Sequence, residues 1–134
     1  LQRVHGDCHL GNLLWSPGGL VFLDFDDLVM GPAAQDFWMM VGGRDAWAQH
    51  RLDMMLAGYE EMAEFDRGTL RLFEPLRAMR IVHFAAWIAR RWQDPAFPLA
   101  FPAFGTESWW EAEVRELQEQ LERVREVAAA LPWG

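Results

Sequence analysis

Lysine is absent: all twelve basic residues of this 134-residue chain are arginines. Biased codon usage is the plain explanation, but the chemical consequence stands. No lysine in the chain can pair with a nucleotide phosphate. Acidic residues number 20, giving a net charge of −8. A nucleic-acid binder needs a basic patch, and none is visible, so nucleic acid is not an expected partner. Cys8 is the only cysteine, so no intrachain disulfide can form and a reducing cytoplasm is the expected compartment. No apolar run reaches the roughly 18 residues that would suggest a membrane span. The opening LQRVHGD does not read as a secretory leader. Internal repeats and low-complexity tracts are also lacking.

What is present is the material for a core. Hydrophobic residues make up 51% and aromatics 13%, with eight tryptophans. A chain of this length is most simply one domain, 1–134, and buries roughly two thirds of its unfolded surface. Residues 12–15 (NLLW) and 20–25 (LVFLDF) read as two short strands. Ser16-Pro17-Gly18-Gly19 between them suits a type II turn, with proline second and glycine third. Residues 1–27 are thus expected to be a loop feeding a hairpin that ends in Asp24-Phe25-Asp26-Asp27.

Beyond the hairpin the pattern is helical, over about 33–130. Pro32 suits the start of a helix over 33–41, which Gly42-Gly43 ends. A second helix is expected over 44–64, with Trp47, Leu52, Met55, Leu56, Tyr59 and Met62 on its inner face. A third spans 69–93, where Pro75 starts or kinks it. Its apolar residues spread round most of the circumference, from Leu76 and Met79 to Trp92, which predicts a central, buried helix. Residues 94–105 (DPAFPLAFPAFG) read as a rigid loop over the core. The last helix, 108–130, opens with Ser108 and Glu111 at capping-box spacing. Along it Trp110, Val114, Leu117, Leu121, Val124, Ala128 and Leu131 alternate by four and three, predicting packing onto its own domain, with a dimerising seam as the alternative.

The chemistry is concentrated in HGDCHLGN, residues 5–12. His5, Asp7 and His9 alternate, so in an extended segment they face one side and form a candidate zinc site. That reading needs a further ligand, and the remaining histidines, His50 and His83, fall in predicted helices. It also leaves Asn12 without a purpose. The competing reading is phosphoryl transfer. That chemistry needs a carboxylate facing the acceptor and oxygen ligands that hold magnesium against ATP phosphates. The spacing H-x-D-x-x-x-x-N supplies both kinds of group in His5, Asp7 and Asn12. The hairpin then brings Asp24 back towards Asn12. A lone H-x-D is a weak signal; loop, turn and second aspartate together are a strong one.

HGDCHLGN, FLDFDD and GPAAQDFW resemble the aminoglycoside-phosphotransferase and choline-kinase branch of the protein-kinase-like fold. Within it the chain is most similar to the bacterial stress response kinase A family, through GYEEMAEFD, EPLRAMRIV and ARRWQDPAFP as well. The resemblance covers nearly the whole chain. It implies an α+β, mostly helical fold: the C-terminal lobe of such a kinase, with a small hairpin at the active site. It implies ATP as co-substrate, Mg2+ as cofactor, and a protein serine or threonine as acceptor. Asp7 would be the catalytic carboxylate, and Asn12 and Asp24 the magnesium ligands. Asp26 or Asp27 would touch a second magnesium or an arginine. His5 would brace the loop, and Asp36 would accept hydrogen bonds from the loop backbone. His9 matches no role, and Cys8 reads as a small buried residue. Arg77, Arg80, Arg90 and Arg91 read as solvated or ion-paired.

In this fold an N-terminal lobe supplies the phosphate-covering loop, a strand lysine and its glutamate partner. None of these features is visible in residues 1–134. The chain alone is therefore expected to be inactive and to self-associate through surface that normally meets that lobe. A small-molecule kinase acting on homoserine, choline or an aminoglycoside is one alternative. A non-catalytic nucleotide-binding or interaction module is the other.

Overall fold

The computed structural model describes residues 1–130 and is α+β, mostly helical. It divides into two compact units, Leu1–Phe73 and the chain from Glu74 onward.

The first unit opens with strand β1 (Gln2–Val4), then the hairpin of β2 (Leu13–Ser16) and β3 (Gly19–Phe22), then β4 (Val29–Gly31). Both pairings are antiparallel: β1 with β4, Val4 opposite Val29, and β2 with β3, Leu13 opposite Phe22. The pairing of Gln2–Val4 with Val29–Gly31 is a correction to the reading of 1–27 as loop plus hairpin. A three-residue strand is too short to show alternation, and its partner lies across the whole hairpin. The turn also differs. Type II needs positive φ at Gly18, but the positive φ, 113°, falls at Gly19.

Helices α1 (Ala34–Val41) and α2 (Ala46–Glu60) follow, then a 3₁₀ stretch, Arg67–Leu72. Asp45 starts α2 by accepting the Ala48 N–H at 2.8 Å. The unit closes on apolar residues from β1, α1, α2 and the segment after α2: Val4, Ala34, Phe37, Val41, Ala48, Leu52, Leu56 and Phe65 are all buried. Phe37, Phe65 and Tyr59 form its aromatic centre, with ring centroids 4.8–5.6 Å apart. Trp47 and Met62 were assigned to the inner face of α2, but they are 62% and 93% exposed. Ala48, not Trp47, sits at the buried position beside Leu52 and Leu56. Met62 lies beyond the end of the helix, where helical spacing no longer applies.

The second unit holds most of α3 (Phe73–Arg91), with α4 (Ala96–Ala100) and α5 (Glu107–Ala129). Pro75 sits in the first turn of α3, so it starts the helix and does not kink it. Ile88 is 1% exposed, yet Met79 and Val82 lie open, so α3 is not buried all round. Apolar periodicity reports which residues ask for cover, not which ones receive it. Residues 94–105 are not loop throughout: Asp94 accepts the Ala96 N–H at 2.9 Å and a short helix forms across Pro98. Phe84, Trp87, Phe97 and Phe101 pack against one another, Phe84 stacked on Trp87 and Phe101 edge-on to it, and the Arg91 guanidinium lies 4.9 Å over the Trp87 ring.

Helix α5 is capped by Thr106, whose hydroxyl accepts the Trp109 N–H, and not by Ser108. Trp110, Val114 and Leu121 on its apolar stripe are exposed; its buried residue is Gln120. Leu131, the last position of that stripe, lies outside the described residues. Among the described residues no helix is long and apolar enough to cross a membrane.

Candidate active site

The loop between β1 and β2 is held from below by the first turn of α1. Asp36 accepts two backbone N–H groups, from His5 at 2.8 Å and Gly6 at 2.9 Å. Its neighbour Gln35 donates through Nε2 to the Gly6 carbonyl at 2.8 Å. Two consecutive helical residues thus grip two consecutive loop residues. The helix N-terminus favours the Asp36 carboxylate there. Gly6 has φ +87°, and a Cβ on it would run into the carbonyl oxygen of Asp27. Only glycine permits the loop to pass that close to the chain after β3.

The loop then places its polar groups. Asn12 donates through Nδ2 to the Asp7 carbonyl at 3.0 Å. A carbonyl only accepts, so the amide orientation is fixed and Oδ1 is its remaining end. The hairpin ladder continues one step past β2, with Leu23 N–H donating to the Asn12 carbonyl at 2.8 Å. Asp24 is therefore the residue next to the one paired with Asn12. Asp24 has φ 58°, among the described residues the one non-glycine with positive φ. Such a conformation costs on the order of 1–3 kcal/mol, and aspartate tolerates it better than most residues do.

His5 is buried and ties the two halves together. Its Nε2 donates to the Leu23 carbonyl at 2.8 Å, gripping the peptide that leads into Asp24. Its ring packs on Phe25 at 4.9 Å between centroids. The structure thus brings His5, Asp7, Asn12, Asp24 and Asp36 into one connected assembly. Asp26 and Asp27 form the exposed turn after Phe25.

His9, which matches no motif role, places Nε2 3.4 Å from Asp7 Oδ2. Gln35 was missed too. The signal for His9 was present in the His5-Asp7-His9 alternation, which also suggested the zinc site. His5 turns instead to Leu23. Among the described residues no group of three or more His, Cys, Asp or Glu side chains is gathered to hold a metal.

The amide oxygen of Asn12, just before β2, and the carboxylate of Asp24, just after β3, are hard donors. They suit magnesium, which completes its shell with water and phosphate oxygens, better than zinc, which favours nitrogen and sulfur. Cys8 is buried, and burial, with Asp36 and Asp7 nearby, pushes its thiol up to about 11. It stays protonated at neutral pH and is a poor nucleophile.

Residues 1–73 match the phosphotransferase enzyme family. Over 124 residues, 92% of the chain, it is 47% identical to stress response kinase A of Salmonella typhi and 46% identical to that of Escherichia coli K12. It is 47% identical over the same length to the serine/threonine protein kinase RdoA of Salmonella typhimurium. The chain spans about 38% of the length of each of these relatives. It belongs to the phosphotransferase enzyme family.

Proposed function

From that membership we propose that the chain is the catalytic lobe of an ATP- and magnesium-dependent phosphotransferase. The acceptor is a protein serine or threonine hydroxyl, in a bacterial stress response and in the cytoplasm. The observation that carries the reading is the Asp7–Asn12–Asp24 assembly, anchored by the Asp36 grip on the loop backbone. The name of one relative, a serine/threonine protein kinase, supports the protein acceptor over a small hydroxyl compound.

In this reading Asp7 orients the acceptor hydroxyl and takes its proton as the oxygen attacks the γ-phosphorus. An ordinary aspartate is a weak base, but a loose transition state asks more for position than for basicity. Asn12 Oδ1 and the Asp24 carboxylate would hold magnesium. Bound there, the ion would offset phosphate charge and align the γ-phosphoryl group. The left-handed backbone at Asp24 is the kind of local strain that functional sites retain.

The adenine-binding lobe lies outside residues 1–134 in this proposal, and the chain alone is inactive. Two things support this: the chain's 38% share of its relatives and its lack of any lysine to meet the phosphates. The exposed Leu14, Trp15 and Phe22 of the hairpin are then surface for that lobe, and a site of self-association without it.

The test uses the complete product of the reading frame with magnesium and labelled ATP. Acceptors are a kinase-depleted lysate and a panel of small hydroxyl compounds. Label is expected on protein serine or threonine, reduced at least about a hundredfold in Asp7→Asn. Label confined to a small compound transfers the assignment to a small-molecule kinase. ATP binding with no transfer to anything makes this a binding module.

A further inference from the structure

His9 is held between two partners that fix its proton. Its Nδ1 accepts the Gly11 backbone N–H at 3.0 Å, while Nε2 faces Asp7 Oδ2 at 3.4 Å. A backbone amide only donates, so Nδ1 carries the lone pair. In the neutral ring the one N–H is then on Nε2, the ring nitrogen beside the Asp7 carboxylate.

The ring has little freedom to leave. His9 is the cap of the 3₁₀ turn Leu10–Asn12, with extended φ −131° and ψ 168°. Its own carbonyl accepts the Asn12 N–H at 2.9 Å. Gly11 lies under the ring: a Cβ there would sit 2.8 Å from Cε1 and 2.9 Å from Nδ1 of His9. Any side chain at position 11 would lift the imidazole off its amide donor and away from Asp7.

The last torsion of an aspartate is soft and roughly two-fold, so a donor facing one carboxylate oxygen narrows its rotation. The 3.4 Å separation is longer than a formed hydrogen bond, as catalytic contacts often are before substrate binds. The two side chains are 37% and 20% exposed, so the pair sits at the surface of the loop, where an acceptor can reach it.

We propose that His9 is a positioning residue for phosphoryl transfer, its neutral Nε2–H setting the plane of the Asp7 carboxylate. The proposal rests on the phosphotransferase reading. In the step it serves, the acceptor O–H gives its proton to Asp7 and its oxygen bonds to the γ-phosphorus. The bond from that phosphorus to the bridging oxygen breaks, and its electron pair leaves with ADP. His9 neither gains nor loses a proton.

Two substitutions separate this role from a structural one, because each keeps half of the ring's contacts. The glutamine amide nitrogen reaches the place of Nε2, so His9→Gln keeps the donor to Asp7 and loses the Gly11 acceptor. The asparagine amide reaches only the place of Nδ1, so His9→Asn keeps the cap and loses the donor. Both are made in the complete product of the reading frame, beside wild type and Asp7→Asn. His9→Asn is expected to lose roughly tenfold to a hundredfold in kcat. Its KM for ATP should stay within about twofold. His9→Gln should recover most of kcat, to within about threefold of wild type.

The reverse order, Asn active and Gln impaired, would show that His9 only caps the turn and would overturn the proposal. So would equal losses in both variants, or a change in KM alone. If wild type itself transfers no phosphate, the phosphotransferase reading fails first and this proposal falls with it. A second arm needs no activity. Long-range proton–nitrogen correlation on the labelled chain at about pH 8, where free imidazoles are neutral, reads the tautomer directly. An Nε2–H signature assigned to His9 is expected, and an Nδ1–H signature sinks the idea.

Discussion

Each unit of the molecule is organised round one clamped carboxylate. In the first, Asp36 accepts two backbone N–H groups of the loop that carries Asp7. In the second, Glu74 takes the Arg77 guanidinium at 2.9 Å and the Gln120 amide at 2.8 Å. The device is the same, a partly buried carboxylate whose partners are charge-assisted donors. The consequence differs because the partners differ. Asp36 holds main chain, so it fixes the path of an irregular segment and every side chain on it. Glu74 holds side chains, so it fastens α5 to the first turn of α3 and leaves the backbone geometry to the helices. The first clamp specifies a site; the second contributes to stability.

The strongest test of that contrast is Asp36→Asn. One amide cannot accept from two N–H groups as a carboxylate does, so either the His5 or the Gly6 donor is left facing an NH2 group. The expected cost in stability is about 1–3 kcal/mol, read from denaturant unfolding of the chain. The expected loss of kcat in the complete product is about a hundredfold, larger than the stability change explains, because the loop shifts under Asp7. A variant that unfolds more easily but turns over normally when folded would erase the distinction drawn here.

Gln120→Ala is the matching change in the second unit and has the smaller expected effect. It removes a donor that reaches both the Glu74 carboxylate and the Glu74 carbonyl, at 2.8 and 2.9 Å. Arg77 still pairs with Glu74, so the charge is not stranded. The cost should be about 1–2 kcal/mol of stability. Activity per folded molecule should stay within about twofold of wild type. A loss of kcat comparable to that of Asp36→Asn would mean that the second unit also carries part of the site.

The same contrast explains what could be read from the sequence. Asp7, Asn12, Asp24 and Asp36 could be picked out together because motif spacing and family resemblance are what a sequence records, and the fold does bring them into one assembly. The second unit's two long helices were found and α4 was not, and Met79 and Val82 were expected inside and lie open. Gln120, buried and polar, broke the apolar pattern and so was not marked. Thr106 was passed over for Ser108 because a capping box is a spacing, whereas the hydroxyl that caps is chosen by local backbone geometry. Around the candidate site the misses are of one kind. β1, β4, Gln35 and the His9–Asp7 contact all depend on residues brought together by folding, or on a side-chain direction that spacing leaves open.

Cys8 gives the smallest effect and the finest test, because it probes how tightly the loop packs without touching the clamp. Its thiol is pushed from 9.0 to about 11, first by burial and then by the Asp36 and Asp7 charges. The unfolded chain therefore ionises this thiol before the folded one does. Below about pH 9 both states are protonated and the group adds no pH dependence; as pH rises from about 9 towards about 11, ionisation favours the unfolded chain and stability falls. Cys8→Ala removes that slope. Its unfolding free energy, plotted against pH, should run parallel to wild type up to about pH 9 and then decline less steeply. The offset between the curves at neutral pH reports lost packing, and only the change in slope reports the thiol. Identical slopes would mean that the thiol ionises at its ordinary value, and that the loop over it opens to water more readily than the Asp36 clamp implies.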